Sequence, residues 1–179
     1  MYKRFFFLIL SFFICVGNTK AEILPSDKSA TEFEIYVHGK QIPENAVFYT
    51  SDKKSVLLSS FKGKVIVLNF FKATCVKCLR ELPSLNELKN KYPDIVLLAV
   101  SEGEEDAQYV DMMLHKQRHM NNIDVSLDDK QQLFLSFGGD KVPQTRLIDK
   151  NGIIRGYIKG EADFSSEKIG SQIQELLNE

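Results

Sequence analysis

The chain has 179 residues, of which 44% are hydrophobic, 11% aromatic and 26% charged, the composition of one globular domain with a packed core and not of a fibrous or disordered protein. Lys and Arg number 23 against 24 Asp and Glu, a formal charge of -1 without a long block of one sign, which argues against a nucleic-acid or polyanionic partner. Three cysteines, at positions 15, 75 and 78, exclude a multi-disulfide scaffold and leave the close pair Cys75 and Cys78 to be explained.

Lys3 and Arg4 precede a predominantly apolar run from Phe5 to Val16, followed by Gly17, Asn18 and Thr19-Lys20-Ala21. This pattern reads as an export signal over residues 1–21, cleaved after Ala21, and places the protein in the periplasm. At 1.5 Å rise per residue the run makes about 18 Å of helix against roughly 30 Å of hydrocarbon, so an uncleaved anchor through residues 5–16 is the weaker reading. Bulky Phe12, Phe13 and Ile14 before Cys15 do not suit lipid attachment, and Cys15 reads as a small hydrophobe within the signal. An exported chain whose remaining cysteines lie three apart gains little as a staple, since the closed loop removes little chain entropy. That gives weight to a redox or metal role.

Residues 22–46 are polar and read as an N-terminal extension, with one alternating stretch at Glu32–Val37 that predicts an edge strand. The domain proper is expected over 47–179. Val47–Thr50 and Ser55–Leu58 flank the polar cluster Ser51-Asp52-Lys53-Lys54 and predict a hairpin. The nearly continuous apolar run Val65–Phe71 predicts a strand covered on both faces. Leu82, Leu85 and Leu88 recur at helical spacing behind the cysteines, and Ile95–Val100 predicts a second buried strand, completing a β-α-β unit with a right-handed crossover. Ala107, Val110 and Leu114 predict an amphipathic helix, and Leu133, Phe134 and Phe137 a shorter one before Gly138-Gly139. Thr145–Ile148 and Ile153–Ile158 are joined through Asn151-Gly152, a strong hairpin signal, and Ile169, Ile173, Leu176 and Leu177 predict a closing helix.

This order places Cys75 at the N-terminus of a helix, where the backbone dipole and the neighbouring Lys72 and Lys77 favour a thiolate. Cys75 would then attack a substrate disulfide and Cys78 resolve the mixed disulfide. The bland alternative is a pair of small buried residues.

The same residues resemble the thioredoxin superfamily, and within it the exported TlpA-like and ResA-like branch. The resemblance covers roughly Val47 to Leu177 and rests on Lys62-Gly63-Lys64 with the strand Val65–Phe70, on Cys75-Val76-Lys77-Cys78, on Pro83 five residues after Cys78, on Glu81 three after it, and on Val142-Pro143 before a strand. It implies an α/β thioredoxin-like fold: a central mixed sheet flanked by helices, with a β-hairpin extension on the N-terminal side. It also implies that Pro143 is the cis-proline lying against the disulfide, that Glu81 takes or relays the Cys78 proton, and that Asn69 stands where cytoplasmic thioredoxins carry a buried Asp. The catalytic set is therefore Cys75, Cys78, Glu81 and Pro143, with no cofactor and no metal. Exported protein disulfides or thiols are the expected substrates and a membrane electron donor the expected partner. Two departures stand out: Thr74 replaces the Trp usual before the first cysteine, and Leu79 follows Cys78 where the branch carries a basic residue.

Competing readings are few. His115 and His119, with Met112, Met113 and Met120 nearby, are ligand types for zinc or copper, but the CxxC lies too far upstream for a zinc-finger pattern. A peroxidase of the related peroxiredoxin class would carry Thr at position 72, and a haem attachment motif would need His at 79. A binding module with idle cysteines is the non-enzyme alternative. On direction, the spacing of about 64 residues between Cys78 and Val142 leaves no room for the helical insertion of a DsbA-like oxidant, which favours a reductant of the cytochrome c maturation or copper-site assembly type.

Overall fold

The computed structural model describes residues 29–128 and 130–179; the signal, Cys15 and the start of the extension lie outside the described residues. Eight strands form one sheet: β1 (Glu34–Gln41), β2 (Val47–Thr50), β3 (Ser55–Leu57), β4 (Ile66–Phe71), β5 (Val96–Ser101), β6 (Ser126–Leu127), β7 (Gln144–Ile148) and β8 (Ile153–Lys159). Their spatial order is β1-β8-β7-β4-β5-β6-β2-β3. The helices are α1 (Val76–Lys91), α2 (Ala107–Asp111), α3 (Gln132–Ser136) and α4 (Glu167–Asn178), with a π-helical segment at Met112–Gln117. None of the described helices is long and apolar enough to cross a membrane.

β4 lies at the centre, parallel to β5 and antiparallel to β7, and every residue in it is buried. Strand alternation sends its side chains into two cores. Val67 and Phe71 join the cluster built with Leu82, Leu85 and Leu88 of α1 and with Ile169, Ile173 and Leu176 of α4. Ile66, Leu68 and Phe70 join the other, with Phe48, Leu58, Phe134 and Phe137. Each of these large apolar side chains contributes about 1.5–3 kcal/mol by leaving water. Asn69 alone breaks the apolar pattern of β4, on the α1 face.

The expected edge strand exists but runs from Glu34 to Gln41 and pairs antiparallel with β8. Residues 29–33 are tied to the domain as well. Phe33 is buried, and its backbone N–H and C=O are both taken by the Gln172 amide of α4, at 2.8 and 3.0 Å. At the opposite edge the hairpin β2–β3 attaches through the two-residue strand β6, which bridges β5 and β2. So short a strand leaves no periodicity to read.

The β7–β8 hairpin turns at Gly152, whose φ of +80° suits a residue without Cβ. Asp149 fastens this turn by accepting the backbone N–H groups of Asn151 and Ile153, each at 2.9 Å. The helix expected over Ala107–Leu114 is α-helical only to Asp111 and then widens into the π-helical segment. His115 on that segment is held between Asp111, one turn before it, and the Ile123 carbonyl, contacts that the apolar spacing does not encode.

Candidate active site

Cys75 is the N-cap of α1, extended at φ -89°, and its Sγ accepts the backbone N–H of Cys78 at 3.2 Å. The two cysteines form a disulfide with their Cα atoms 5.2 Å apart. Cys75 is half-buried and Cys78 fully buried. Between them Val76 is 66% exposed. This asymmetry gives the two sulfurs different access: the first at the rim beside an exposed apolar side chain, the second closed off beneath it.

The helix that carries them runs through Pro83, which has no N–H for the Leu79 carbonyl. Arg118 reaches that carbonyl, with Nη1 at 3.4 Å. Ser84 serves the same turn: its hydroxyl donates to the Glu81 carbonyl at 2.9 Å and accepts the Phe164 N–H at 3.2 Å.

Glu81 follows Cys78 by three residues, so the two share a face of α1. It is 2% exposed. Oε1 accepts from the Asn69 side-chain amide at 2.7 Å, and Oε2 accepts the backbone N–H of Ala162 at 2.9 Å. Burial raises its pKa to about 8; the Asn69 and Ala162 hydrogen bonds oppose that rise, and nearby Glu161 adds to it. Glu161 is itself paired with Arg80, whose Nε lies 2.9 and 3.1 Å from its two carboxylate oxygens.

The Val142-Pro143 bond is cis, and Pro143 is buried. Gln144 pairs with Phe70, so Pro143 comes to the end of β4 from which the chain departs toward Cys75. The Pro143 carbonyl accepts the N–H of Gly160 at 2.9 Å, and Gly160, at φ +95°, begins the loop that brings Glu161 and Ala162 to α1. The sheet therefore brings all four expected residues to one end. The structure adds partners that the sequence did not single out: Thr145, hydrogen-bonded to Asn69; the Ala162 N–H; and Glu102, buried and paired with Lys72. A backbone N–H carries no residue signature, and Glu102 reads as one of several acids in a polar loop.

His115, weighed as a metal ligand, has Nδ1 2.8 Å from Asp111 and Nε2 2.8 Å from the Ile123 carbonyl, so both ring nitrogens are engaged. Among the described residues no three His, Cys, Asp or Glu side chains are grouped to hold a metal.

A CxxC disulfide at the start of a proline-containing helix, its second cysteine buried, on a domain with a mixed sheet and a cis-proline at the adjoining strand end, defines a thioredoxin-like redox domain. The chain belongs to the AhpC/TSA family, whose profile matches residues 38–157. Its relatives include the thiol-disulfide oxidoreductase ResA of Bacillus cereus, 33% identical over 125 residues that cover 69% of this chain and 70% of that one. The ResA of Bacillus anthracis is 29% identical over 163 residues, covering 90% and 88%. Among solved structures, a thiol-disulfide oxidoreductase of Bacteroides vulgatus is 28% identical with a TM-score of 0.61, covering 73% of this chain and 90% of that one. The thiol:disulfide interchange protein DsbE of Chlorobium tepidum, 23% identical, shares the fold at a TM-score of 0.68 and covers 82% and 99%. The chain is a thiol-disulfide oxidoreductase of this thioredoxin-like class.

Proposed function

We propose that the protein is exported to the periplasm and reduces disulfides in specific exported proteins, of the cytochrome c maturation or copper-site assembly type. The Cys75 thiolate attacks one sulfur of the substrate disulfide, forming a mixed disulfide and expelling the other sulfur as a thiolate. Cys78 then gives up its proton, attacks Cys75 Sγ and releases the second substrate thiolate. The substrate gains two electrons, and Cys75–Cys78 becomes the disulfide described above. A membrane electron donor reopens it.

The observation that supports this reading is the buried Glu81 carboxyl behind Cys78. A pKa of about 8 lets Glu81, on the same face of α1 as Cys78, be either protonated or ionised near neutral pH, so the one carboxyl can both give a proton and take one. When the donor reopens the disulfide, protonated Glu81 supplies the leaving Cys78 thiolate; when Cys78 must attack, ionised Glu81 accepts its proton. Exposed Val76 beside half-buried Cys75 offers an apolar surface against which a substrate disulfide approaches the first sulfur.

The test is the reduction potential of the Cys75–Cys78 pair in defined thiol buffers, with Cys75→Ser as control. A value well below about -200 mV supports the reductant; a value near about -120 mV assigns the opposite direction, an oxidant of newly exported thiols.

A further inference from the structure

Asn69 presents an unbalanced hydrogen-bond set. Its side-chain Nδ2 donates twice, to Glu81 Oε1 at 2.7 Å and to Thr145 Oγ1 at 3.0 Å, while its Oδ1 is buried with no partner among the described residues. An amide oxygen sealed from water and left unbonded costs free energy, so its persistence needs a reason. The carboxyl opposite supplies one. Glu81 Oε1 faces the Asn69 N–H and Oε2 faces the Ala162 N–H, so both oxygens meet donors and the arrangement fits a carboxylate. A protonated Glu81 carries an O–H of its own, and neither neighbour accepts it. The orphaned Oδ1 of the same amide is such an acceptor, brought to Glu81 by a half-turn of the amide about its own axis.

We propose that Asn69 is a positioning residue for Glu81 whose carboxamide turns over with the carboxyl proton, offering N–H to the carboxylate and C=O to the acid. This rests on the proton-relay reading of Glu81 given above. Thr145 makes the turn workable, because a hydroxyl accepts from Nδ2 in one orientation and donates to Oδ1 in the other. The ionised arrangement leaves Oδ1 unbonded and the acid arrangement leaves Nδ2 so, and the turn removes the donor-against-donor contact that a fixed amide would impose on the acid. The amide thus holds each protonation state in turn.

The charged groups around Glu81 do not supply this selectivity. Glu161, from the loop after β8, raises the Glu81 pKa and is neutralised by Arg80 of α1. β4 and β7 present Asn69 and Thr145, both uncharged, and the Arg146 guanidinium is engaged with Phe137 and Gln144. Cys75 and Cys78 do not titrate while they form the disulfide.

The experiment is a carboxyl and side-chain amide NMR titration of the purified full-length protein in its disulfide form, where Glu81 titrates without the cysteines. The Asn69 side-chain amide signals are expected to shift with the same midpoint as the Glu81 carboxyl. Asn69→Ala removes the donor and is expected to raise that midpoint by about one to two pH units. Asn69→Asp keeps the volume but offers no N–H, and is expected to raise it too. Asn69 signals that stay flat through the Glu81 titration overturn the turning amide, without any variant having to fold. A midpoint unmoved in both variants overturns the positioning role. The relay reading is judged separately, by whether Glu81→Gln changes the pH profile of disulfide reduction.

Discussion

Lys72 and Glu102 pair across the ends of β4 and β5, with Nζ 3.3 Å from Oε1, three residues ahead of Cys75. Proximity in sequence predicts that the Lys72 charge acts on Cys75; the structure places its ammonium against a carboxylate. Burial raises the Glu102 pKa, Lys72 opposes the rise, and the other oxygen, Oε2, is buried with no partner among the described residues.

Lys72→Met is therefore expected to cost stability by leaving a buried carboxylate without its cation, on the order of 1–2 kcal/mol at pH 8. The loss shrinks as the pH falls and Glu102, its pKa raised by burial, takes up a proton, and Lys72→Met/Glu102→Gln recovers most of it. Urea unfolding of the two single variants and the double variant measures the coupling. Additive losses at pH 8 would show that the pair contributes nothing to stability.

Glu81 makes the fold sensitive to pH in the opposite sense from an ion-paired acid. Its pKa is about 8 in the folded protein and 4.5 as the ordinary value, so between these the folded state binds the extra proton. The Glu81 contribution is full below about pH 4.5 and falls as the pH rises toward 8, by up to roughly 1.4 kcal/mol per pH unit. Glu81→Gln is expected to flatten that slope and to gain most relative to the native protein above pH 8. Denaturant unfolding of the disulfide form at pH 5, 7 and 9 checks this, and parallel slopes for the two proteins would refute it.

Pro83 and Arg118 are joined through one atom, the Leu79 carbonyl oxygen. Arg118→Ala leaves that carbonyl without its guanidinium donor and is expected to cost about 0.5–1 kcal/mol. In a Pro83→Ala background the helix supplies its own N–H, so the same Arg118→Ala change is expected to cost less. Thermal unfolding of the four proteins closes the cycle, and an equal cost in both backgrounds contradicts the link.

The parts of the fold legible in the sequence are those specified by one contiguous run of residues. Val65–Phe71, Leu82-Leu85-Leu88 and Asn151-Gly152 are of this kind, and each forms the expected element within a residue or so. The Cys75–Cys78 pair and the cis bond before Pro143 were legible because spacing and resemblance carry them. What escaped depends on contacts distant in sequence: β6 exists because β5 and β2 flank it, and the partners of Glu81 come from β4 and from the loop after β8. Asn69 is legible as the one polar residue in the apolar run of β4. Its orphaned oxygen has no sequence signature, since it is a property of the space around the amide.

His115 gives the last prediction. Its ring nitrogens face an acidic side chain and a carbonyl, two acceptors, which only the protonated ring satisfies together. Burial works against the charge, but the Asp111 carboxylate and the Ile123 carbonyl outweigh it, and the pKa is raised above 6.5. The contribution to stability is therefore complete below about pH 6.5 and is lost as the pH climbs through the raised value. Asp111→Asn keeps the shape of the contact and removes the charge, so it is expected to cost on the order of 1 kcal/mol at pH 5.5 and much less at pH 8.5. The π-helical segment carries His115 across to Ile123, so the same loss speeds amide hydrogen exchange over Met112–Gln117 at the lower pH. Equal unfolding free energies for the two proteins at pH 5.5 would mean that the ring is neutral there and that Asp111 does not hold it.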